Sequence, residues 1–253
     1  MRIAVLGGTG ALGRGLALRF AAAGATVVLG SRDGARAVDR ALELSAALAA
    51  WPVSRPADPA DAAAAAPADP AAAAAPAAVA AAPADPAGSI TGAANPDAAR
   101  TAEVVVVAVP WDAHAETLRA CAAELAGKVV VDAVNPLGFD AGGAYPLRVA
   151  EGSAAEQAQG LLPDSRVVAA FHTLPAAVLA DPGSASVEAD TFVVGDDRAA
   201  VDLVLDLART IPGLHAYAGG RLRNAGPLEG LTAAVISANR RHRIHAGIRV
   251  VEL

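Results

Sequence analysis

A glycine-rich loop between a predicted strand and a predicted helix constrains this chain more than any other feature of its sequence. The strand, Arg2–Leu6, is a short apolar run typical of a buried parallel strand. The loop has glycine at four of the seven positions from 7 to 13, and the helix after it ends at Gly24, where a left-handed residue is needed. A second apolar strand follows at residues 26–30, so the segment predicts a β-α-β unit that binds a dinucleotide.

Three glycines of this loop form the pattern G-x-G-x-x-G. We expect Gly8 to permit the tight turn, Gly10 to let the backbone approach a pyrophosphate, and Gly13 to let helix and strand pack closely. The N–H groups at the helix start, with the positive end of the helix dipole, would face the phosphates. A glycine-rich turn that binds nothing is the alternative. The cofactor contacts predicted in this loop are Gly8, Thr9, Gly10, Ala11, Leu12 and Gly13.

The residues after the second strand choose between the two nicotinamide dinucleotides. An NAD site usually has an acid about twenty residues further on that binds the ribose 2′-hydroxyl, whereas an NADP site has arginine near the 2′-phosphate. Here Ser31 and Arg32 end the strand, and Arg36 follows one helical turn later. A hydroxyl and two guanidinium groups can bind a phosphate. Asp33 stands at a distance compatible with an NAD acid, but we interpret it as the N-cap of the next helix. The sequence therefore favours NADP.

Length, charge and cysteine content exclude several classes of protein. At 253 residues the chain fits one large domain, or a core domain with a small appendage. Its net charge of −6 argues against nonspecific nucleic-acid binding, and its single Cys121 forbids an internal disulfide. We find no signal peptide before the first strand and no apolar run of membrane-spanning length. We therefore expect a cytoplasmic protein with small-molecule substrates and no nucleic-acid or membrane partner. Its expected assembly is a homo-oligomer, most simply a dimer.

Strands and helices alternate through the rest of the chain, with one interruption. Residues at about 52–88 are rich in alanine, proline and aspartate, and they predict a low-complexity insertion without a core of its own. Asn95 and Pro96 are expected to begin a brief helix as its N-cap and first residue. Further strands are predicted at 89–92, 104–109, 128–133, 166–170, 191–195 and 214–217, a glycine-rich loop at 134–145, and helices at 111–125, 153–162, 199–210 and 225–241.

This alternation predicts an α/β fold of the Rossmann type, in which helices cover both faces of a doubly wound, mostly parallel sheet. We assign residues 1–195 to an NADP-binding domain. Residues 196–253 would form a small C-terminal subdomain that contributes to the site of the second substrate.

The carboxyl ends of the predicted strands are where a doubly wound sheet binds its ligands. Val109, Pro110 and Trp111 follow one strand, Asn135 the next, and His172 a third. His172 is the candidate catalytic residue, and its expected role is to orient a bound ring by a hydrogen bond rather than to act as an acid or base. A histidine satisfied within the strand end is the alternative. Trp111 either shields a nicotinamide from water or is an ordinary core residue.

The remaining histidines give weaker signals. His114 follows Trp111 by one helical turn, and it either lines the same cleft or lies on the helix surface. His242 and His245 have helical spacing for a metal but no further ligand beside them, so we predict no metal site.

Taken in order, these motifs resemble the NADP oxidoreductases that depend on the deazaflavin coenzyme F420. The likeness covers essentially the whole chain apart from the insertion, and the ordered set is more specific than any one motif. The residues that carry it are Gly7-Gly8-Thr9-Gly10-x-Leu12-Gly13-x-Gly15-Leu16-Ala17, Gly30-Ser31-Arg32, Val109-Pro110-Trp111, Phe171-His172-Thr173-Leu174-Pro175, Asn224-Ala225 and Leu228-Glu229-x-Leu231-Thr232.

The resemblance implies a reversible hydride transfer between F420 and NADP, bound face to face. It implies dinucleotide contacts at residues 9–12, Ser31, Arg32 and Arg36, the last of which stands where the family is expected to have lysine. The positions implied beside the nicotinamide and the deazaflavin are Pro110, Trp111, His172, Leu174, Pro175 and Ala176. Such a transfer needs proximity, orientation and exclusion of water, and it does not require a protein nucleophile.

Two other functions stay open. One is another NADP-dependent reductase of the same fold, such as a pyrroline-carboxylate or ferric reductase, and the other is a non-catalytic protein that binds or senses NADP. The resemblance also implies a coenzyme tail of negative charge, and we expect Arg221 or Arg223 to bind it.

Overall fold

The structure is a computed structural model that describes residues 1–51 and 88–251. The predicted insertion falls almost entirely on residues 52–87, which lie outside the described residues. None of the helices in the described part is long and apolar enough to cross a membrane.

Strands and helices alternate through most of the described residues. The strands are β1 (Arg2–Leu6), β2 (Thr26–Ser31), β3 (Ser89–Ala94), β4 (Val104–Val107), β5 (Val129–Asp132), β6 (Leu137–Asp140), β7 (Gly143–Pro146), β8 (Arg166–Ala169), β9 (Ala189–Gly195) and β10 (Leu214–Ala218). The helices are α1 (Ala11–Ala22), α2 (Gly34–Ala49), α3 (Asn95–Thr101), α4 (Trp111–Leu125), α5 (Ala154–Leu161), α6 (Ala176–Leu179), α7 (Arg198–Arg209) and α8 (Ala225–His242), with a 3₁₀ turn at Leu222–Asn224 before α8.

Eight of the strands form one sheet in the order β10-β9-β8-β5-β4-β1-β2-β3. Every neighbouring pair in it is parallel except β8 and β9, which are antiparallel. The predicted doubly wound, mostly parallel sheet is therefore confirmed. Because β9 and β10 run against the other strands, their carboxyl ends lie at the edge of the sheet opposite the carboxyl end of β1.

Uninterrupted valine runs explain why β4 and β5 lie in the middle of the sheet. A strand covered by helices on both faces needs apolar side chains at every position. Val104 and Val106 pack into the core that contains α1, whereas Val105 and Val107 pack into the core that contains α4. All four valines are at most 1% exposed.

Two local predictions are wrong. Residues 134–145 were predicted as a loop, but β6 and β7 pair as an antiparallel hairpin, with the Asp140 side chain accepting the N–H of Gly142 at 2.7 Å in the turn. Asn95 was predicted as the N-cap of α3, but Ala94 occupies that position. The Asn95 side chain instead packs over Gly30, where a Cβ would lie 2.7 Å from its Oδ1.

The C-terminal part of the chain continues the same architecture. α7 and β10 extend the eight-stranded sheet beyond residue 195, because β10 pairs in parallel with β9. α8 then packs against β7 and α5, and the chain returns to the sheet, where the N–H of Asp190 donates to the carbonyl of Ile248 at 2.8 Å. The proposed boundary at residue 195 stays a prediction.

Candidate functional site

A cleft of about 570 Å³ opens at the carboxyl ends of β1, β2, β4 and β5. Most of the predicted site residues meet there. The predicted residues that line it are Thr9, Gly10, Leu12, Ser31, Arg32, Arg36, Val109, Pro110, Trp111 and Asn135. Other residues that the sequence did not predict also line the cleft. They are Gly7, Asp33, Asn95, Ala108, Ala113, Thr117, Ala133 and Val134.

The glycine loop is built differently in one detail from its prediction. The left-handed residue of the turn is Gly7, with φ of 76°, and not Gly8. Gly8 is required for space, since a Cβ there would lie 2.8 Å from the carbonyl oxygen of Val5. Gly13 has the predicted role of close packing, because its Cβ would lie 2.8 Å from the Gly7 oxygen. Gly10 is the N-cap of α1 and lines the cleft.

Two arginines at the rim of the cleft are free to bind an anion. The side chain of Asp33 accepts the N–H groups of Ala35 at 3.0 Å and Arg36 at 3.2 Å, so its interpretation as an N-cap is confirmed. Its own N–H lies 3.3 Å from the Ser31 hydroxyl oxygen. Arg32 and Arg36 are exposed, and within residues 1–51 and 88–251 neither forms an ion pair.

His114 neither lines the cleft nor lies on the helix surface. It is fully buried below Trp111, because it lies on the face of α4 that packs towards β5. Its Nε2 is 2.7 Å from the Asp132 carboxylate and its Nδ1 is 3.0 Å from the side-chain oxygen of Gln157. Asp132 and Gln157 were not predicted as partners of His114. The signal in the sequence was the acid that ends an otherwise apolar valine strand.

Asn135, which lines the cleft, is hydrogen-bonded to the backbone of His172. The Asn135 amide donates to the carbonyl oxygen of His172 at 3.2 Å, and the Thr232 hydroxyl lies 3.1 Å from that same oxygen. The hydroxyl of Thr232 also lies 3.1 Å from the amide oxygen of Asn135. α8 therefore contributes to the orientation of a cleft residue, although Thr232 is ninety-seven positions away from Asn135 in sequence.

His172 adjoins the cleft without lining it. Its side chain is 5% exposed, and neither ring nitrogen has a hydrogen-bond partner in the described part of the chain. The pKa of His172 is lowered to about 4 by burial, so the imidazole is neutral at pH 7. Phe171 before it has a φ of 71°, and its N–H donates to the Thr191 hydroxyl at 3.0 Å. A left-handed bulky residue is strained, which marks this turn as one that the surrounding structure holds in place.

The segment after His172 packs against α1 and lies outside the cleft lining. Pro175 is the N-cap of the short helix α6, and Leu174 is buried. Gly15 in α1 permits the contact, because a Cβ there would lie 2.5 Å from the Cβ of Leu179. The predicted residues that the structure does not bring into the cleft are Gly8, Ala11, Gly13, His114, His172, Leu174, Pro175 and Ala176.

Arg19 forms hydrogen bonds that hold the segment after His172 against α1, a role that the sequence did not predict. Its side chain is 2% exposed, and its guanidinium donates to the backbone carbonyls of Leu179 at 3.0 Å, Val178 at 2.9 Å and Ser184 at 2.8 Å. Its guanidinium carbon also lies 4.9 Å from the ring centre of Trp51. Burial lowers the pKa of Arg19, but the fixed charge is satisfied by carbonyl dipoles.

A second, shallower groove of about 650 Å³ contains the arginines expected to bind a coenzyme tail. Arg221 and Arg223 line it with Glu156 and Asp196, and it shares no lining residue with the cleft. The Arg221 guanidinium lies 3.5 Å from the Asp196 carboxylate. A tail bound here would have to displace that ion pair.

Comparison with known proteins gives a consistent set of matches. Residues 2–136 match the family model described as NADP oxidoreductase, coenzyme F420-dependent. The F420-dependent NADP reductase of Methanothermobacter thermautotrophicus is 37% identical over 261 residues, which cover 100% of this chain and 96% of that protein. The F420-dependent NADP reductase of Methanocaldococcus jannaschii is 32% identical and covers 100% of this chain and 99% of its own length.

A solved structure matches the whole fold. It is the crystal structure of a protein from Arthrobacter sp. FB24 that bears the provisional name of F420-dependent NADP reductase. The two chains are 27% identical with a TM-score of 0.70, and the match covers 100% of each.

Proposed function

The chain belongs to the family of F420-dependent NADP oxidoreductases, and from this premise we propose that it transfers a hydride reversibly between coenzyme F420 and NADP. The two coenzymes supply the hydride chemistry, and the protein binds them, orients their rings and excludes water. This assignment of a specific reaction is supported by three parts of the site.

The observation that carries the proposal is the pair of free guanidinium groups at the cleft rim. Arg32 follows the end of β2 and Arg36 lies in the first turn of α2, both without an ion-pair partner among the described residues, and Asp33 is engaged as a helix cap. Both backbone N–H groups donate to the same oxygen of Asp33, so this carboxylate is held at the start of α2 while the two guanidinium groups face the cleft. A planar guanidinium can bind a phosphate through two parallel hydrogen bonds. This arrangement fits the 2′-phosphate of NADP.

The glycine loop fits the pyrophosphate. Gly10 caps α1 without a side chain over its N–H groups, and Thr9, Gly10 and Leu12 line the cleft. The first N–H groups of a helix carry a partial positive charge and lack intrahelical acceptors, so they bind anions. The nicotinamide would then reach the opposite end of the cleft, beside Pro110, Trp111 and Asn135.

The unpaired imidazole of His172 fits the edge of a deazaflavin ring. Buried polar atoms are normally hydrogen-bonded, yet both ring nitrogens of His172 lack a partner in the described residues. A neutral imidazole offers one donor and one acceptor. The pyrimidine edge of a deazaflavin presents carbonyl and N–H groups that can satisfy them. We assign Leu174, Pro175 and Ala176 to the same side, where α1 and α6 hold the segment rigid.

Mixing the protein with NADPH and oxidised F420 tests the proposal. We expect the visible absorbance of the oxidised deazaflavin to fall with NADPH and to fall much more slowly with NADH. Absorbance that stays constant while NADP binds would identify a binding or sensing protein. Oxidation of NADPH by a cyclic imine or a ferric chelate, without F420 turnover, would identify another reductase of this fold.

Three further assignments belong to the same proposal. The chain would act in the reducing environment of the cytoplasm and as a homo-oligomer, most simply a dimer, which light scattering on the purified protein measures. Residues 196–253 would form the part that contributes to the deazaflavin site. Arg221 and Arg223 are the candidates for its tail, and neutralising both should weaken F420 binding without changing NADP affinity.

A further inference from the structure

The buried histidine beneath the cleft has acceptors on both of its nitrogens. His114 is 0% exposed, with the Asp132 carboxylate 2.7 Å from Nε2 and the Gln157 side-chain oxygen 3.0 Å from Nδ1. With its oxygen towards His114, the Gln157 amide can also donate from its nitrogen to the Glu151 carboxylate at 3.3 Å, which favours this orientation. A neutral imidazole carries only one N–H group, and only the imidazolium donates from both nitrogens. With the Gln157 oxygen facing Nδ1 and the Asp132 carboxylate facing Nε2, this hydrogen-bond pattern favours the positively charged form of His114.

The groups around His114 favour that charge. Asp132 is also 0% exposed, and its other carboxylate oxygen accepts the N–H of Val134 at 3.0 Å, so the oxygen facing His114 is free to accept. Burial by itself lowers the pKa of His114, but the hydrogen bond and negative charge of Asp132 outweigh it, with smaller contributions from Gln157 and Glu229. The result is a raised pKa. The titratable groups that face the ring are Asp132 from β5 and Glu229 from α8.

The charged ring supports the wall of the cleft. Trp111 lines the cleft, and its indole stacks on His114 with ring centres 5.4 Å apart and an angle of 29° between the planes. A cation over an indole face is attracted by the negative face of the ring system. His114 is itself fully buried and has a hydrogen-bond partner at each ring nitrogen, so these contacts hold the imidazole in place. The indole above it is therefore held in one position as well.

We propose that His114 is a positioning residue, which Asp132 and Gln157 hold as an imidazolium so that it fixes the indole of Trp111 against the nicotinamide half of the bound dinucleotide. This inference rests on the proposed function only in the identity of the ligand, a nicotinamide dinucleotide with a 2′-phosphate. His114 itself makes no contact with the ligand. Its effect reaches the nicotinamide through the ring stacked on it.

Tryptophan fluorescence reports the charge directly and needs no F420. The chain has two tryptophans, Trp51 and Trp111, so Trp51→Phe leaves Trp111 as the sole emitter. An imidazolium in contact with an indole quenches its emission by accepting an electron from the excited ring, and a neutral imidazole does so far less. In this background we expect weak emission at neutral pH that rises severalfold as alkaline pH deprotonates His114.

Two variants separate charge from packing. His114→Phe keeps a stacked ring without charge, and Asp132→Asn keeps the hydrogen bonds but makes the neutral imidazole the favoured form. Both should raise the Trp111 emission at neutral pH and abolish its alkaline rise. His242→Phe is the matched control, since that histidine lies at the exposed end of α8. Circular dichroism establishes that each variant is folded, and a profile that His114→Phe and Asp132→Asn both leave unchanged overturns the proposal.

Ligand binding tests the positioning role. 2′,5′-ADP carries the 2′-phosphate but no nicotinamide, so its dissociation constant should be the same in His114→Phe and in the wild type. In the same variant the turnover of NADPH should fall by about tenfold or more, because misplacement of reacting groups by about 1 Å can cost a hundredfold. Equal losses for both ligands would show a general structural defect and overturn the positioning role. If the protein lacks F420 activity, affinities alone still separate a positioning role from a general structural defect. A positioning role weakens the binding of NADPH but not of 2′,5′-ADP, whereas a structural defect weakens both equally.

Discussion

The carboxylate of Glu229 in α8 accepts a hydrogen bond from the backbone N–H of Ala154 at 2.9 Å, seventy-five positions away in the sequence. It also accepts the N–H of Ala155 at 3.2 Å, so an acid on the last helix caps the first turn of α5. The side chain is 2% exposed. Its burial raises the pKa of Glu229 to about 7, because it outweighs the two hydrogen bonds, which by themselves would lower the pKa.

This shift makes stability depend on pH. Because Glu229 holds its proton more tightly when folded, its stabilising contribution is complete below its ordinary pKa of 4.5 and is lost as pH rises through about 7. We expect the free energy of unfolding of the wild type to fall across this window relative to Glu229→Gln, by up to about 3 kcal/mol. Urea unfolding of both proteins at several pH values measures the difference.

Glu43→Gln is the control, because that carboxylate is exposed on α2 and should show no such window. An opposite slope, with the wild type gaining stability over Glu229→Gln as pH rises, would mean that the helix N-terminus stabilises the ionised form more than burial opposes it.

Arg32 should decide the choice between dinucleotides. Arg32→Ala removes a charge-assisted contact worth about 2 kcal/mol, which corresponds to a rise of tens of fold in the KM for NADP. The KM for F420 should stay the same, and so should the fold, since Arg32 is exposed. Initial rates over a range of NADP concentrations measure it.

Arg40→Ala, on the helix α2 that follows Arg32, is the matched control, because Arg40 pairs with Glu43 and does not line the cleft. A wild-type enzyme that uses NAD as readily as NADP would contradict the assignment and turn attention to Asp33.

His172 should act on the second coenzyme alone. His172→Phe keeps the ring volume and removes both polar atoms, so we expect kcat/KM for F420 to fall by about tenfold, the value of one hydrogen bond. Because burial lowers the pKa of His172 to about 4, the ratio of variant to wild-type rates should be constant between pH 6 and pH 8. An equal loss with NADP as the varied substrate would contradict the placement of the deazaflavin.

Gly7, directly after β1, and Gly24, just after α1, should differ in how much their substitution destabilises the protein. Gly24 has a φ of 91° with open space where a Cβ would be, so Gly24→Ala should cost only the left-handed backbone, about 1–2 kcal/mol. Gly7 has a φ of 76° and a Cβ there would lie 2.6 Å from the Ala108 oxygen. Gly7→Ala should therefore destabilise the protein clearly more, as measured by urea unfolding. Equal losses of stability in the two variants would mean that the backbone after β1 can move away from the backbone after β4 without a cost in free energy.

Local signals allowed much of this site to be predicted. The glycine loop, the Asp33 cap and the segment from Val109 that follows β4 are each specified within a few residues, where turn geometry, capping and a buried apolar run act. These features place the half of the cleft that we propose for the dinucleotide. They also fix which edge of the sheet it occupies.

Tertiary packing determined what the sequence could not show. The hairpin β6–β7 has glycine at two of its eight strand positions and little apolar alternation, and its contact with α8 is a tertiary feature that the local sequence does not specify. The burial of His114 depends on Asp132, Gln157 and Glu229, which come from three different elements. Thr232 and Glu229 were visible only as letters of a motif, because their partners lie far away in the sequence.

The guanidinium of Arg19 has a kinetic consequence. It binds α1 to residues 178–184, so the helix that begins at the phosphate loop and the strand-end turn at His172 are parts of one stiff body. The distance between the two proposed coenzyme positions would then be fixed in the empty protein, and neither coenzyme would have to build the site of the other. We expect the enzyme to accept its coenzymes in either order, with the dissociation constant of each unchanged when the other is saturating. Evolution of this chain toward a new hydride acceptor would in that case leave its NADP half untouched.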